Sequence, residues 1–198
     1  MRRLVPPVVP PGTMAREHQP VLSNDSVTLR PWTHQDVHAV LEAFREPNIR
    51  RWHVRGIDSE SIDGESEAIA WIDGWLEGWR AEKDASWAVT TQSDDAACGY
   101  IALRGVDLEF GHAQITYWVL PASRGQGVAT SSCLALAEWA FNELGLHRLS
   151  LIHSTANAIS CRVAVKAGFE YEGTFRSALL HLDGWHDMHG HARINDSH

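Results

Sequence analysis

Two stretches of this chain hold residues whose types and spacing could do chemistry. The first is Tyr117-Trp118-Val119-Leu120-Pro121-Ala122-Ser123-Arg124-Gly125-Gln126-Gly127-Val128-Ala129-Thr130. An apolar, strand-like run stops at Pro121, a loop with two glycines follows, and Ser131 to Leu144 reads as an amphipathic helix. A strand that enters a glycine turn and then a helix is a device for holding phosphate. Unpaired amides at the helix start point outward, and the helix dipole favours negative charge there. Gly125 and Gly127 allow close backbone approach, and Arg124 adds a positive charge. The dinucleotide fingerprint G-x-G-x-x-G fails, since Gly127 is followed by Val128-Ala129-Thr130. The nucleotide P-loop fails too, for want of G-x-x-x-x-G-K-[ST]. What remains is R-x-x-G-x-A at Arg124, Gly127 and Ala129.

The second stretch runs from Asn157 to Phe169. Asn157 and Ser160 lie three residues apart at a helix start, which puts both side chains on one face near its N-terminal end. Gly168 stops that helix. Cys161 follows Ser160, and no nucleophilic role is assigned to it. His189 and His191 alternate on a strand and share a face, which allows metal binding. No third and fourth ligand lie at tight spacing in the sequence, and the expectation is no metal.

The totals narrow the class. A chain of 198 residues suits one domain with a full core. Net charge is −8, from 17 basic and 25 acidic residues. That balance argues against nucleic acid as the main partner and suits a cationic substrate such as an amine. Three cysteines, Cys98, Cys133 and Cys161, form no even framework, so reduced thiols and a cytoplasmic address are expected. No apolar run approaches the roughly 18 residues of a membrane span. Prolines at 6, 7, 10 and 11 break the N-terminal segment, so it does not read as a signal peptide.

The elements that must position these stretches can be read in order. Residues 1–25 are proline-rich and lack periodicity, which predicts a disordered or extended arm before a domain over 26–198. Val27 to Arg30 reads as a strand ended by Pro31. Val37, Val40, Leu41 and Phe44 recur at helical spacing, and Glu46-Pro47 closes that helix. Asn48 to Arg55 is a short basic, aromatic stretch, and Asp58 to Glu65 a loop. Glu65 to Glu82 reads as a helix carrying Trp71, Trp75 and Trp79 every four residues, a core-facing stripe or else one wall of an acceptor pocket. Strands are expected over Ser86–Thr91, Cys98–Leu103, Ala113–Leu120, His147–His153, Phe169–Leu182 and Trp185–Ile194, the last two joined at Asp183-Gly184. The order is β-α-α-β-β-β-α-β-α-β-β. The class is therefore α+β or mixed α/β: one twisted, mostly antiparallel sheet of about seven strands flanked by about four helices.

The pattern R-x-x-G-x-A, followed beyond a strand by N-x-x-S and Gly168-Phe169, resembles the GNAT superfamily of acyl-CoA N-acyltransferases. It is similar in particular to the RimJ/RimL branch that acetylates N-terminal amines of ribosomal proteins. Val27-Thr28-Leu29-Arg30-Pro31, Glu46 to Trp52, Ile115 to Trp118 and Asp183 to Asp187 extend the resemblance to residues 27–194. It implies acetyl-CoA as co-substrate and an amine acceptor, a protein N-terminus or a small molecule. It further implies that the strand ending at Val119-Leu120 splays from its neighbour, His147 to His153. Pantetheine would lie in that gap against the backbone of Tyr117, Trp118 and Val119. The pyrophosphate would sit on the amides of Arg124, Gly125, Gln126, Gly127, Val128, Ala129 and Thr130. Asn157 would bond the coenzyme arm or an ordered water, and Ser160 would protonate the departing thiolate. The Val119 amide would stabilise the oxyanion.

Departures from the family pattern matter. A tyrosine often stands four residues before the Gly-Phe pair; here Ala164 does. A glutamate often stands on the strand before the loop; here Gln114 does. Leu179 occupies the region where the ribosomal-protein branch carries another glutamate. The proton acceptor is thus unassigned among His53, Glu109, His112, His181 and Asp187, with His181 best placed by the order of elements. The missing groups also motivate an alternative, a catalytically silent acyl-CoA-binding or partner-binding module. A dinucleotide oxidoreductase is poorly supported. The chain is read as monomer or homodimer.

Overall fold

The structure, a computed structural model, describes residues 5–52 and 62–196. His53 and residues 58–61 of the Asp58–Glu65 loop lie outside the described residues. The elements in order are β1 (Leu22–Ser23), β2 (Val27–Arg30), α1 (Val37–Arg45), α2 (Pro47–Trp52), α3 (Glu65–Arg80), β3 (Ala85–Thr91), β4 (Asp94–Asp107), β5 (His112–Val119), α4 (Val128–Asn142), β6 (Arg148–Ser154), α5 (Ala158–Lys166), β7 (Glu170–His181) and β8 (Gly184–Ile194). The strands form one sheet in the order β1-β2-β3-β4-β5-β6-β8-β7. Every neighbouring pair is antiparallel except β5 and β6, which run parallel. That junction needs a crossover, and α4 supplies it.

Alternation along β4 sorts the core into two layers. Ile101 and Leu103 face a cluster that includes Cys133, Leu136, Ala137 and Ala140 of α4 and Ala164 of α5. Tyr100 and Ala102 face the other cluster, with Val40, Leu41 and Phe44 of α1 and Ile72 and Trp75 of α3. The helices thus cover both faces of the sheet, as a mixed sheet with buried central strands requires.

The structure adds one strand and one helix to those expected among the described residues. The strand is the two-residue β1, too short to show alternation. The helix is α2, within the basic, aromatic stretch Asn48–Arg55, to which the sequence assigned no element. Glu46-Pro47 ends α1 but also opens α2. Proline is favoured at a first helical position because its missing N–H would have no partner there. The Glu46 carboxylate reaches forward to accept the Ile49 amide at 2.7 Å. Helix α4 starts at Val128, three residues earlier than expected, because Gly127 takes a left-handed φ of 80° and turns the chain straight into it.

The tryptophan stripe of α3 faces inward. Trp75 and Trp79 are buried. Trp71 packs edge-on to Trp32 at 5.4 Å and Phe44 at 5.8 Å, and Trp79 stacks on Trp139 at 6.1 Å. These rings pack into the two core clusters, Trp71 and Trp75 in the α1-side one and Trp79 in the α4-side one, rather than walling a pocket.

The proline-rich segment, expected as a disordered or extended arm, is docked over residues 8–15. The Val8 and Val9 amides bond to the carbonyls of Glu109 and Leu108 at 3.0 and 2.9 Å. Val9 and Met14 are buried in the α4-side cluster. The Glu82 carboxylate accepts the amides of Gly12 at 2.6 Å and Met14 at 2.7 Å. Two apolar side chains and one carboxylate fix a stretch whose composition gave no periodic signal.

Candidate active site

Strands β5 and β6 pair only from His112↔Arg148 to Ile115↔Leu151. Beyond Ile115 the two strands part, although β5 runs on to Val119 and β6 to Ser154. Leu120 donates to the Cys98 carbonyl of β4 at 2.9 Å. Strand alternation therefore turns the amides of Tyr117 and Val119 toward the opposite edge, which β6 has left. A cleft of about 800 Å³ occupies the gap. Its walls include Thr116 to Val119 of β5, Ile152 to Ser154 of β6, the starts of α4 and α5, and Trp52 of α2.

The glycine turn lies at one end of this cleft. Gly125 and Gly127 have φ of 77° and 80°. A Cβ at either would meet no heavy atom within 4 Å, so the backbone angle, not crowding, calls for glycine. The same emptiness leaves the turn open to a ligand. Ser131 is the first residue of α4 whose amide bonds back, to the Gly127 carbonyl at 3.0 Å. The amides of Val128, Ala129 and Thr130 come before it and have no intrahelical partner. This arrangement fits a diphosphate without a metal or a lysine. Of the predicted coenzyme-binding residues, all but Gln126 line the cleft. The Gln126 side chain instead donates to the Ala122 carbonyl at 3.1 Å and braces the turn.

Arg124 is held in place. Its Nε donates to the Val119 carbonyl at 3.0 Å, and a terminal nitrogen to Glu46 at 2.9 Å. Burial works against the Glu46 charge, but hydrogen bonds from Arg124, the Ile49 amide and Asn48 outweigh it. They pull the carboxyl down to about 2. The guanidinium thus ties the end of β5 to the junction of α1 and α2 through an ion pair with Glu46.

At the middle of the cleft the Tyr117 hydroxyl donates to Ser160 Oγ at 3.1 Å. Burial raises the Tyr117 phenol well above its ordinary value, so it keeps its proton across the neutral range. Asn157 caps α5 by accepting the Ser160 amide at 3.1 Å. Asn157 and Ser160 both line the cleft. The Tyr117–Ser160 pair was not foreseen. It joins the two motifs across β5 and α5, and no spacing rule connects residues that far apart in the chain.

His181 is not among the lining residues. It is buried, with Nδ1 3.0 Å from the Arg51 carbonyl and its ring stacked on His186 at 4.3 Å. Glu109 and His112 lie at the turn between β4 and β5, outside the cleft. Asp187 accepts the Ser177 amide at 2.7 Å and clips a bulge in the terminal hairpin. A different set reaches the cleft. Ser154, on the β6 wall, is 2.7 Å from His186 Nδ1, and His186 Nε2 is 2.8 Å from Asp183. Asp183 accepts only, so Nε2 carries the hydrogen, and Nδ1 accepts from the Ser154 hydroxyl. The chain runs from the cleft to an exposed carboxylate. Asp183 and His186 stood in the terminal hairpin stretch that the family resemblance covers, but neither was singled out there for chemistry.

The alternation of His189 and His191 also needs correction. Sequence spacing offered them no further ligands, yet the fold brings His153 and Cys161 to the same place.

Residues 26–170 match the model of the acetyltransferase (GNAT) domain. The chain belongs to the GNAT family. It is 26% identical over 161 residues to the Bacillus subtilis (strain 168) protein named "Uncharacterized N-acetyltransferase YoaA", covering 81% of this chain and 88% of that one. It is 29% identical over 104 residues to the ribosomal-protein-serine acetyltransferase of Escherichia coli (strain K12), covering 52% of this chain and 58% of that one. A solved RimL, the ribosomal L7/L12 alpha-N-protein acetyltransferase in complex with coenzyme A, superposes with a TM-score of 0.80. It has 18% identity and covers 90% of this chain and 100% of its own. The chain is therefore an N-acetyltransferase with acetyl-CoA as co-substrate. No described helix is long and apolar enough to cross a membrane.

Proposed function

We propose that this GNAT protein moves an acetyl group from acetyl-CoA to a primary amine by direct attack in a ternary complex, with a protein N-terminus as acceptor. The observation that carries the reading is the convergence of three features on one cleft. They are the open amides entering α4, the Tyr117–Ser160 pair, and the Ser154–His186–Asp183 chain. The first serves diphosphate, the second a leaving thiolate, the third an ammonium proton. The resemblance to enzymes named for ribosomal proteins supports a peptide acceptor.

Each step needs one of these groups. The acceptor amine must be neutral to attack, so its proton passes to Ser154 while the Ser154 proton passes to His186. Asp183 holds the imidazole in the required tautomer and faces the imidazolium that forms. The amine nitrogen then bonds to the thioester carbon. The Val119 amide, aimed into the gap, receives the oxyanion. As the carbon–sulfur bond breaks, Ser160 gives its proton to the sulfur and recovers one from Tyr117, and the second proton shed by the nitrogen as it becomes an amide restores the phenol. Alignment in the cleft supplies much of the remaining acceleration.

The test is coenzyme A release from acetyl-CoA with N-terminal peptides, polyamines and aminoglycosides offered in parallel. Turnover is expected with peptides. Donor binding by calorimetry without turnover on any amine would instead favour the silent binding module. His186→Asn should lower kcat by roughly a hundredfold and remove the limb of the pH–rate profile that reports the proton acceptor. An unchanged limb would eliminate the relay.

A further inference from the structure

His153 on β6, His189 and His191 on β8, and Cys161 on α5 point their ligand atoms at one spot, all within 4.8 Å of one another. The pair at its centre has an unusual difficulty. His153 Nδ1 is 2.8 Å from the Ser154 carbonyl, and His191 Nδ1 is 3.4 Å from the Phe169 carbonyl. A carbonyl only accepts, so each Nδ1 carries the hydrogen. Both neutral rings then present bare lone pairs at Nε2, and these two nitrogens face each other at 3.2 Å. Lone pairs at that distance repel. A shared proton would place a cation between rings that are only 5% and 1% exposed.

A metal ion resolves the conflict. Zinc binds imidazole nitrogen at about 2.0–2.1 Å, and tetrahedral angles then separate two ligating nitrogens by roughly 3.3 Å. The observed separation is close to that. An Nδ1–H held by a backbone carbonyl is also how ligating histidines are ordinarily oriented, leaving Nε2 for the ion. His189 supplies a third nitrogen and Cys161 a sulfur, which completes four soft-to-borderline donors of the kind that closed zinc sites use. The Tyr171 ring packs edge-on to His189 at 5.1 Å and to His191 at 5.6 Å, walling one side.

We propose that His153, Cys161, His189 and His191 bind one zinc ion, which ties α5 to β6 and β8 one residue from Ser160. The acetyl transfer itself requires no metal, so this site is structural or modulatory and stands apart from the transfer reading. The test uses the full chain without an affinity tag, stripped by chelator and titrated with Co²⁺ as a spectroscopic probe. One equivalent should give the intense visible bands of tetrahedral Co²⁺ and a thiolate-to-cobalt charge-transfer band, both bleached by Zn²⁺. Cys161→Ser should lose the charge-transfer band. His189→Asn, at a half-buried position tolerant of change, should keep that band while affinity falls at least tenfold. Zn²⁺ at a hundred times its Kd should raise the melting temperature by about 5–10 °C. Weak octahedral bands only, or spectra that survive Cys161→Ser and His189→Asn unchanged, would mean scattered surface histidines and overturn the proposal. Neither outcome bears on coenzyme A release, which is scored separately.

Discussion

Ser160 and Tyr117 divide one task. Both side chains line the cleft, and the partly buried, protonated Tyr117 donates to Ser160 at 3.1 Å. Ser160→Ala removes the group that meets the sulfur and should lower kcat by roughly a hundredfold with the acetyl-CoA KM little changed. Tyr117→Phe removes only the resupply, and about tenfold is expected. Equal losses in both variants would show that the phenol itself meets the sulfur. The sequence made Asn157 and Ser160 legible because a cap and its third residue share a helix end. It could not reveal the role of the Tyr117 hydroxyl, nor His186 or Ser154, because their partners come from other elements. The order of elements singled out His181 and did not weigh His186; His181 is buried against the Arg51 carbonyl and does not line the cleft. Glu46 carries the pH dependence at this scale. Its carboxyl lies at about 2 in the fold against an ordinary 4.5. The stabilisation is thus complete above pH 4.5 and lost as pH falls toward 2. Arg124 is 37% exposed, so solvent screens the pair and about 1 kcal/mol is its expected worth. Wild type should melt about 2–4 °C above Glu46→Gln at neutral pH, and the gap should close between pH 4.5 and 2. A gap that widens on acidification would refute the assignment.

At the scale of elements, the entry to α4 decides donor binding. Gly127 turns the chain at φ 80°, and the three amides that follow have no helical acceptor. Gly127→Asp puts a carboxylate where diphosphate belongs. Acetyl-CoA affinity should fall at least tenfold by calorimetry. Gly105→Asp is the matched control. It carries a similar left-handed φ of 56° and open space, but lies on β4 outside the cleft. Comparable destabilisation with normal donor binding is expected there. If both variants bind acetyl-CoA alike, backbone strain and not charge explains any loss. This turn was legible in the sequence because glycine, proline and arginine mark it within a few residues. The break between β5 and β6 was not legible from periodicity, since both strands keep their alternation past the point where they part. It entered through family resemblance, and the register ending at Ile115↔Leu151 bears it out. Helix α2 was missed because one proline did two jobs, closing α1 and opening the next helix.

At the scale of the whole molecule, the segment before β1 is the part that composition misjudged. Proline-rich, aperiodic chain has no regular face to bury, yet a few anchors suffice when a groove exists to receive them. Val9 and Met14 are almost wholly buried, and Glu82 answers the amides around Gly12 and Met14. Each buried apolar side chain contributes about 1.5–3 kcal/mol before the cost of ordering its backbone. Deleting residues 1–15 exposes the groove between the β4–β5 turn and α4 and leaves Glu82 without its amides. A melting temperature lower by about 5–10 °C is expected. Met14→Ala alone should account for about 2–5 kcal/mol of destabilisation, since the hole it leaves is lined by packed neighbours. No described residue of this segment lines the cleft, so coenzyme A release at low temperature should persist in the truncated chain. Loss of activity without loss of stability would place the segment in acceptor binding instead. An unshifted melting curve would show that the anchors contribute nothing beyond what their ordering costs.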